Sequence, residues 1–250
     1  KIKSLLKKKT IRLLIPFLLI GLFYLIPIRF IANYPPYEST SLIRIIYSFL
    51  TVNDCGHLWF LPTLLGIFII ATVLIRMTKS KQSTLICIVL MLYILSPYLS
   101  SFLLITSTKY LFFFFMGYFI NQYGKQIFSI KAIYHGLATL GILLIAYVLI
   151  FHNENRVVTT FTSITIIASL YYFMPHRTNR FILWLDKNSF GIYLFHSPLM
   201  YIIMNKFSII APPAILVPMN LIFGIGGSLI ITYFLRAIKC SFVIGEKNDR

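Results

Sequence analysis

The stretch Asp54-Cys-Gly-His-Leu-Trp-Phe-Leu-Pro62 places an acid, an imidazole and an indole at the start of a run that stays uncharged as far as Ile75. A run of this length is enough for a helix to cross the hydrocarbon core of a bilayer, which takes about 20 residues. Long uncharged runs separated by short basic segments recur along the rest of the chain. The pattern therefore predicts a membrane protein built from apolar helices.

The composition indicates the same class. Hydrophobic residues make up 58% of the 250-residue chain, 12% of its residues are charged, and the mean hydropathy is +0.85. Charged residues are about a quarter of a typical soluble domain. We therefore predict an all-α fold, a polytopic transmembrane helical bundle that forms one domain over residues 1–250.

The uncharged runs predict about eight spans. The predicted spans cover approximately residues 13–31, 57–75, 83–99, 110–121, 132–151, 157–174, 189–205 and 214–235, with Arg29 near the outer end of the first. Between the first two spans, apolar residues recur at helical spacing over residues 42–50, which predicts a helix lying in the membrane interface rather than crossing it. In the last span, Gly224, Gly226 and Gly227 are small enough to allow close approach of another helix.

A net charge of +17 would point to a nucleic-acid partner in a soluble protein. With the first basic segment placed inside, however, all but five of the 23 Lys and Arg residues fall on the inner side. The five on the outer side are Arg29, Arg44, Lys109, Arg156 and Lys206. This is the positive-inside bias of membrane proteins, and it predicts cytoplasmic termini, the lipid bilayer as partner and no nucleic acid.

Few classes of chemistry remain for such a chain. No Asp or Glu lies within a predicted span, which argues against a transporter coupled to protons or sodium through intramembrane carboxylates. The three cysteines have no metal-type spacing such as C-x-x-C, so we predict no metal and no bound cofactor. The candidate site residues are histidines and basic residues at the ends of spans.

Asp54 and His57 are three residues apart and would share one face of a helix. The carboxylate could then orient an imidazole that acts as a general base. Alternatively, His57 and Trp59 anchor the helix end in the interface while Asp54 caps its N-terminus. Spacing alone favours the second interpretation.

Two further groups are candidates. His196 lies inside the seventh predicted span with Tyr193 one turn before it, and a buried imidazole needs a partner, either a neighbouring helix or a substrate. Lys9 and Arg12 lie at the inner mouth of the first span. They could clamp phosphates or could simply form an ordinary basic flank.

Four stretches occur in order along the chain. They are Lys9-Thr-Ile-Arg-Leu-Leu-Ile-Pro16, Gly56-His-Leu-Trp-Phe-Leu-Pro62, Phe113-Phe-Phe-Met-Gly-Tyr118 and Ser189-Phe-Gly-Ile-Tyr-Leu-Phe-His-Ser-Pro198. Together they resemble the bacterial acyltransferase-3 family of integral membrane O-acyltransferases, especially members that modify surface polysaccharides. The resemblance covers essentially the whole chain.

The resemblance implies an enzyme of the bacterial inner membrane that transfers an acyl group from cytoplasmic acetyl-coenzyme A, a donor substrate, to a hydroxyl of a glycan. Lys9 and Arg12 fall on the family's R-x-x-R element and would hold the donor, although lysine replaces the first arginine. Asp54, His57, Trp59, Tyr193 and His196 would line the path or the acceptor pocket.

The resemblance also implies two helices upstream of Lys1, which carry the family's Arg-x10-His motif and its catalytic histidine. No catalytic residue is therefore assigned within residues 1–250, and missing helices or a second copy of the chain are expected partners. Two other interpretations stay open. The chain could be a flippase or permease for a polysaccharide precursor, or an inactive truncated membrane bundle.

Overall fold

The computed structural model describes residues 2–79, 81–127, 131–151, 156–173, 179–208 and 210–246. Its helices are α1 (Ile2–Ile20), α2 (Ile26–Ile31), α3 (Pro35–Glu38), α4 (Leu42–Leu50), α5 (Phe60–Met77), α6 (Gln82–Leu95), α7 (Phe102–Ile127), α8 (Lys131–Phe151), α9 (Arg156–Phe173), α10 (Arg180–Phe207) and α11 (Pro213–Ala237). A π-helical turn (Gly21–Leu25) joins α1 to α2, and short 3₁₀ turns cover Gly56–Trp59, Ser96–Tyr98 and Ser241–Ile244. No strand occurs among the described residues, and the predicted all-α class is confirmed.

Within the described part of the chain, four segments are long and apolar enough to cross a membrane: Leu6–Ile31, Gly56–Met77, Phe102–Gln122 and Pro213–Ala237. Shorter apolar helices occupy Gln82–Tyr98, Gly136–Ile145 and Arg156–Ile167. The chain is thus a helical membrane protein, while the number of eight spans and the side of the termini stay predictions. The predicted end of the sixth span near residue 174 and the chain beyond residue 246 lie outside the described residues.

Two helices extend well beyond their predicted spans. Helix α7 begins at Phe102 rather than near Tyr110, and α10 begins at Arg180 rather than near Ser189. In both cases the prediction stopped at charged residues, Lys109 and Lys187. A charge ends an apolar run but not a helix, because a lysine loses little rotamer freedom there and its ammonium reaches out to the interface.

The chain divides into two compact units, Lys1–Phe114 with Phe181–Arg250 and Phe115–Arg180. In the smaller unit α8 packs along α9. A Cβ atom added at Gly141 would lie 3.1 Å from Oγ1 of Thr165, so the glycine permits this close approach. Whether residues 1–250 act as one domain stays a prediction.

The core of the larger unit forms on one face of α1. Leu13, Phe17 and Ile20 recur at helical spacing and are buried. After the π turn, burial resumes at Leu25 and Arg29, one residue later than a continuous α-helix would place it. Other core members come from α4, α5, α10 and the C-terminal turn.

Helix α4 confirms the helix predicted over residues 42–50. Ile45 and Phe49 are buried, whereas Ile43 is 82% exposed on the opposite side. The Phe49 ring stacks on the Phe17 ring with centroids 4.6 Å apart and also covers Gly21, where an added Cβ would collide with it. This contact fixes α4 against the first helical segment.

Helices α10 and α11 also meet through small residues. An added Cβ at Gly227 would lie 2.7 Å from Leu199, and one at Gly224 would lie 3.4 Å from Met200. The predicted close approach is therefore confirmed at these two glycines. It is wrong for Gly226, which has nothing within 4 Å of its Cβ position.

The Gly21 contact can be tested against that third glycine. We expect Gly21→Ala to lower the free energy of unfolding by about 1–3 kcal/mol, because the new methyl group overlaps the Phe49 ring. The control Gly226→Ala adds a methyl group in open space on a helix and should be neutral or stabilising by up to about 1 kcal/mol. Thermal inactivation in detergent measures both, and equal stability of the two variants would contradict this packing.

Candidate functional site

His57 is held by a backbone carbonyl that a proline leaves free. Pro198 lies inside α10 and has no N–H to donate to the carbonyl of Leu194 one turn earlier. Nε2 of His57 lies 3.1 Å from that oxygen. Because a carbonyl oxygen only accepts hydrogen bonds, the geometry assigns the proton to Nε2 and the free lone pair to Nδ1. Nδ1 is buried and has no hydrogen-bond partner among the described residues.

Tyr193 and His196 complete a cluster with His57. The hydroxyl of Tyr193 donates to the backbone oxygen of His57 at 2.6 Å. The imidazole rings of His57 and His196 lie 5.3 Å apart, centroid to centroid, and the Tyr193 ring lies 5.7 Å from that of His57. The structure therefore brings together three of the predicted residues, from the start of α5 and the middle of α10.

Among the described residues, the hydrogen bonds of His196 stay within its own helix, whereas the structural alternative expected one to a neighbouring helix. Its Nδ1 lies 2.9 Å from the carbonyl oxygens of Ile192 and Tyr193 in its own helix. Nδ1 is therefore the protonated nitrogen, and Nε2 is left as an acceptor. The two histidines thus each carry one nitrogen that can accept a hydrogen bond.

Trp59 lies on a different side of this helix end. Its ring is 5.5 Å from that of Tyr110 and 6.4 Å from that of Phe102, both on α7. Phe60 connects the two groups, since its ring contacts both Trp59 and Tyr193. One aromatic side chain, that of Phe60, therefore separates Trp59 from the histidine cluster.

Asp54 does not orient His57. Its carboxylate accepts a hydrogen bond from Nη1 of Arg29 at 2.8 Å. Nor does it cap a helix, since Cys55 precedes the 3₁₀ turn and no side chain forms a cap there. Gly56, with φ of +52°, turns the chain between Asp54 and His57, so the two residues do not share a helical face.

Arg29 is the residue that sequence reasoning missed. It was counted as an outer flanking charge, yet it is 1% exposed. Besides Asp54 it donates to the hydroxyl of Tyr37 at 3.1 Å, and its guanidinium lies 4.5 Å from the centroid of the Tyr34 ring. An added Cβ at Gly56 would be 2.7 Å from Nη2 of Arg29, so the arginine supports the turn that carries His57. The signal available in the sequence was a lone arginine near tyrosines and the nearby Asp54.

Cys55 is not a nucleophile in this arrangement. The side chain is buried, and burial raises the pKa of its thiol to about 12. The thiol is therefore protonated at neutral pH, whereas a covalent acyl-cysteine needs the thiolate. Among the described residues no group of His, Cys, Asp and Glu is arranged to hold a metal ion.

The other predicted group lies at the opposite end of α1. A cavity of about 640 Å³ is lined by Lys8, Ile11, Arg12, Ile15, Lys187, Phe242, Gly245 and Glu246. Arg12 is thus in the wall, but Lys9 is not, because its ammonium lies over the Phe68 ring at 4.8 Å from the centroid. Lys8, one turn before Arg12, takes the place that the R-x-x-R spacing gave to Lys9.

The two sites are separated by the length of the first helical segment. Arg12 and Arg29 stand near its two ends, about 25 Å apart at about 1.5 Å per residue. This is close to the thickness of the hydrocarbon core, about 30 Å. The geometry defines an all-α membrane protein with a cation-lined cavity at one end of a span and a histidine cluster at the other.

The comparisons with known proteins give the family. The acyltransferase domain model of the acyltransferase-3 family matches residues 1–237, so the chain belongs to that family. No curated protein and no solved structure matches the chain. The family resemblance drawn from the four sequence stretches is therefore confirmed.

The Arg29–Asp54 pair gives a stability test. Asp54→Ala leaves the buried guanidinium of Arg29 without its counter-charge and should destabilise the protein by about 1–3 kcal/mol, because Asp54 is itself one third exposed and water can partly take its place. The double variant Arg29→Met/Asp54→Ala removes both charges and should be more stable than Asp54→Ala alone.

The exposed carboxylate Glu38 provides the matched control, and Glu38→Ala should change stability by no more than about 0.5 kcal/mol. Thermal inactivation of the purified protein measures all three variants. An effect of Asp54→Ala no larger than that of Glu38→Ala would show that Arg29 does not depend on this partner.

Proposed function

We propose that this protein is an O-acyltransferase of a bacterial inner membrane, which moves an acetyl group from cytoplasmic acetyl-coenzyme A to a hydroxyl of a cell-surface or lipid-linked polysaccharide. Membership of the acyltransferase-3 family supports acyl transfer. The observation that carries the finer proposal is the pair of sites at the two ends of one span. One is lined by cations, and the other offers nitrogen acceptors beside aromatic rings.

The inner cavity fits the donor. Its volume lies in the range of small-molecule sites, roughly 300–1,000 Å³. Arg12 can form a two-pronged contact with a phosphate group, which the planar guanidinium favours over an ammonium. Lys9, although outside the wall, adds positive charge at the same mouth and steers an anionic donor toward it.

The histidine cluster fits the acceptor. A sugar hydroxyl can donate a hydrogen bond to Nε2 of His196, while His57 and Tyr193 hold that part of α10 through the carbonyl of Leu194 and the backbone of His57. The rings of Trp59 and its neighbours provide apolar surface beside these polar groups. Asp54 acts indirectly, because it fixes Arg29 beneath the turn at Gly56.

The reaction itself is an ester exchange. The hydroxyl oxygen attacks the thioester carbonyl carbon, a C–O bond forms, and the C–S bond breaks. The hydroxyl proton passes to a base and then to the departing coenzyme A thiolate, which leaves as the thiol. We place the histidines of this chain in binding and orienting the acceptor. The base stays assigned by family resemblance to the histidine of the Arg-x10-His motif.

The test is acetyl transfer from labelled acetyl-coenzyme A to polysaccharide by the full-length protein. Arg12→Ala should raise the KM for the donor about tenfold, because it loses charge-assisted hydrogen bonds that contribute about 1.5 kcal/mol or more. His57→Ala should lower kcat by about tenfold to a hundredfold through misplacement of the acceptor. Lys7→Ala, an exposed charge outside the cavity on the same helix, should change neither constant.

The variants are compared at equal amounts of protein in the membrane. Unchanged activity of both Arg12→Ala and His57→Ala would overturn these site assignments. A labelled lipid-linked sugar that crosses vesicles without being acylated would favour the flippase instead.

A further inference from the structure

Arg236, in the last turn of α11, donates several hydrogen bonds at the cavity end of the larger unit. Its Nε and Nη2 donate to the two carboxylate oxygens of Glu246 at 2.9 and 2.6 Å. Nη1 donates to Oδ1 of Asn188 at 2.7 Å, and Nη2 also donates to the backbone oxygen of Lys187 at 3.0 Å. The contact therefore ties α11 to α10 and to the chain segment after α11.

That segment forms one wall of the cavity. It comprises the turn Ser241–Ile244 with Gly245 and Glu246, and Ile244 is buried in the core beside α1. Gly245 has φ of +68°, and an added Cβ there would lie 2.6 Å from the backbone oxygen of Arg12. The segment is thus seated directly on the turn of α1 that carries Arg12.

The charges in the cavity wall are unequal. Among the described residues of the wall, Lys8, Arg12 and Lys187 are cations from two different helices, and Glu246 is the one carboxylate. Since Arg236 already neutralises Glu246 through two hydrogen bonds, the wall presents a net positive surface. Phe242, which is 48% exposed, adds an aromatic face to the same wall.

This combination matches a phosphate group attached to a flat or apolar moiety. Ammonium and guanidinium groups bind phosphate oxygens through charge-assisted hydrogen bonds. An exposed aromatic face can stack on a nucleotide base, which contributes about 1–3 kcal/mol in other nucleotide sites. The arrangement differs from a simple basic flank because its cations line one cavity, and a partly buried hydrogen-bond network holds the wall of that cavity in place.

We propose that Lys8 and Lys187 join Arg12 as the phosphate-binding cations of this cavity, and that Arg236 is its positioning residue, acting through Glu246. One point of this proposal rests on the proposed function, namely that the bound phosphate belongs to the coenzyme A donor. The phosphate of an anionic lipid headgroup has the same chemistry. Arg236 does not touch the ligand but holds the wall formed by residues 241–246 against α1.

The first experiment measures binding of coenzyme A, which has the phosphates but no acyl group, to the full-length protein in phosphatidylcholine nanodiscs. Lys187→Ala should raise the Kd about tenfold and weaken its dependence on salt, because one charge-assisted contact is lost. The matched control Lys7→Ala should leave the Kd within about twofold. Wild-type affinity of Lys187→Ala would overturn the cation set.

The second experiment tests the positioning role. Arg236→Ala should raise the Kd for coenzyme A about tenfold, and Arg236→Lys should restore part of the loss because it keeps the charge. In a Glu246→Ala background, Arg236→Ala should have little further effect, since the two residues act as one unit. An undiminished effect in that background would show that Arg236 binds the ligand directly and would overturn the positioning role.

Two more readouts separate this proposal from its alternatives. In steady-state kinetics Arg236→Lys should raise the KM for the donor and leave the KM for the acceptor unchanged, which a general loss of folded protein would not do. Nanodiscs containing phosphatidylglycerol identify the source of the phosphate. If phosphatidylglycerol competes with coenzyme A, and Lys187→Ala abolishes this competition, the site binds a lipid headgroup. If coenzyme A binds as expected while no acetyl is transferred, the proposed function fails and the phosphate site stands.

Discussion

The ion pair between the buried Arg29 and the partly exposed Asp54 is the constraint on which the histidine end of the larger unit depends. A guanidinium that is 1% exposed is stable only with its counter-charge in place, because removing an ion from water costs several kcal/mol. The pair fixes the end of α2 to the turn at Gly56, and that turn positions His57 against the carbonyl freed by Pro198. The histidine cluster is therefore held by one ion pair and two hydrogen bonds, the second donated by Tyr193 to the backbone oxygen of His57. A pattern of apolar residues reveals none of these contacts.

Hydropathy predicted the class and the helix over residues 42–50, because burial in lipid or in the core selects apolar residues over long stretches. It placed the starts of α7 and α10 too late, because a lysine interrupts an apolar run without ending a helix. The family resemblance implied that His57, Tyr193 and His196 line one path or pocket, whereas spacing offered Asp54 either as a partner of His57 or, in the favoured interpretation, as a helix cap. Spacing assumes a continuous helix, and Gly56 breaks it. Lys9 was chosen over Lys8 for a similar reason, since a three-residue spacing does not say which side of α1 faces the C-terminal segment.

The separation of the two sites sets the physical problem for an acyltransferase of this design. Under the proposed function, the phosphates of the donor stay at the cavity end, where their charges are hydrated, and the acceptor approaches the histidine end. Because the proposed hydroxyl attacks the thioester carbonyl directly, the two must meet between these ends, and the uncharged acyl end of the donor is the part that enters the apolar layer at the lowest cost. The first helical segment has polar side chains at its two ends and apolar residues between them. This distribution is consistent with a donor at one end and an acceptor at the other.

The π turn at Gly21–Leu25 changes which side of the first helical segment faces the core between these two ends. It inserts one residue into the helix, which rotates everything beyond it by about 100° relative to an uninterrupted helix. The inner part of the segment can therefore face the core with Leu13, Phe17 and Ile20, while the outer part faces it with Leu25 and Arg29. Loss of a single residue from this turn would leave the inner cavity intact and swing the arginine away from its carboxylate. The two halves of the segment thus face the core with different sides of the helix, and the five residues of the π turn join them.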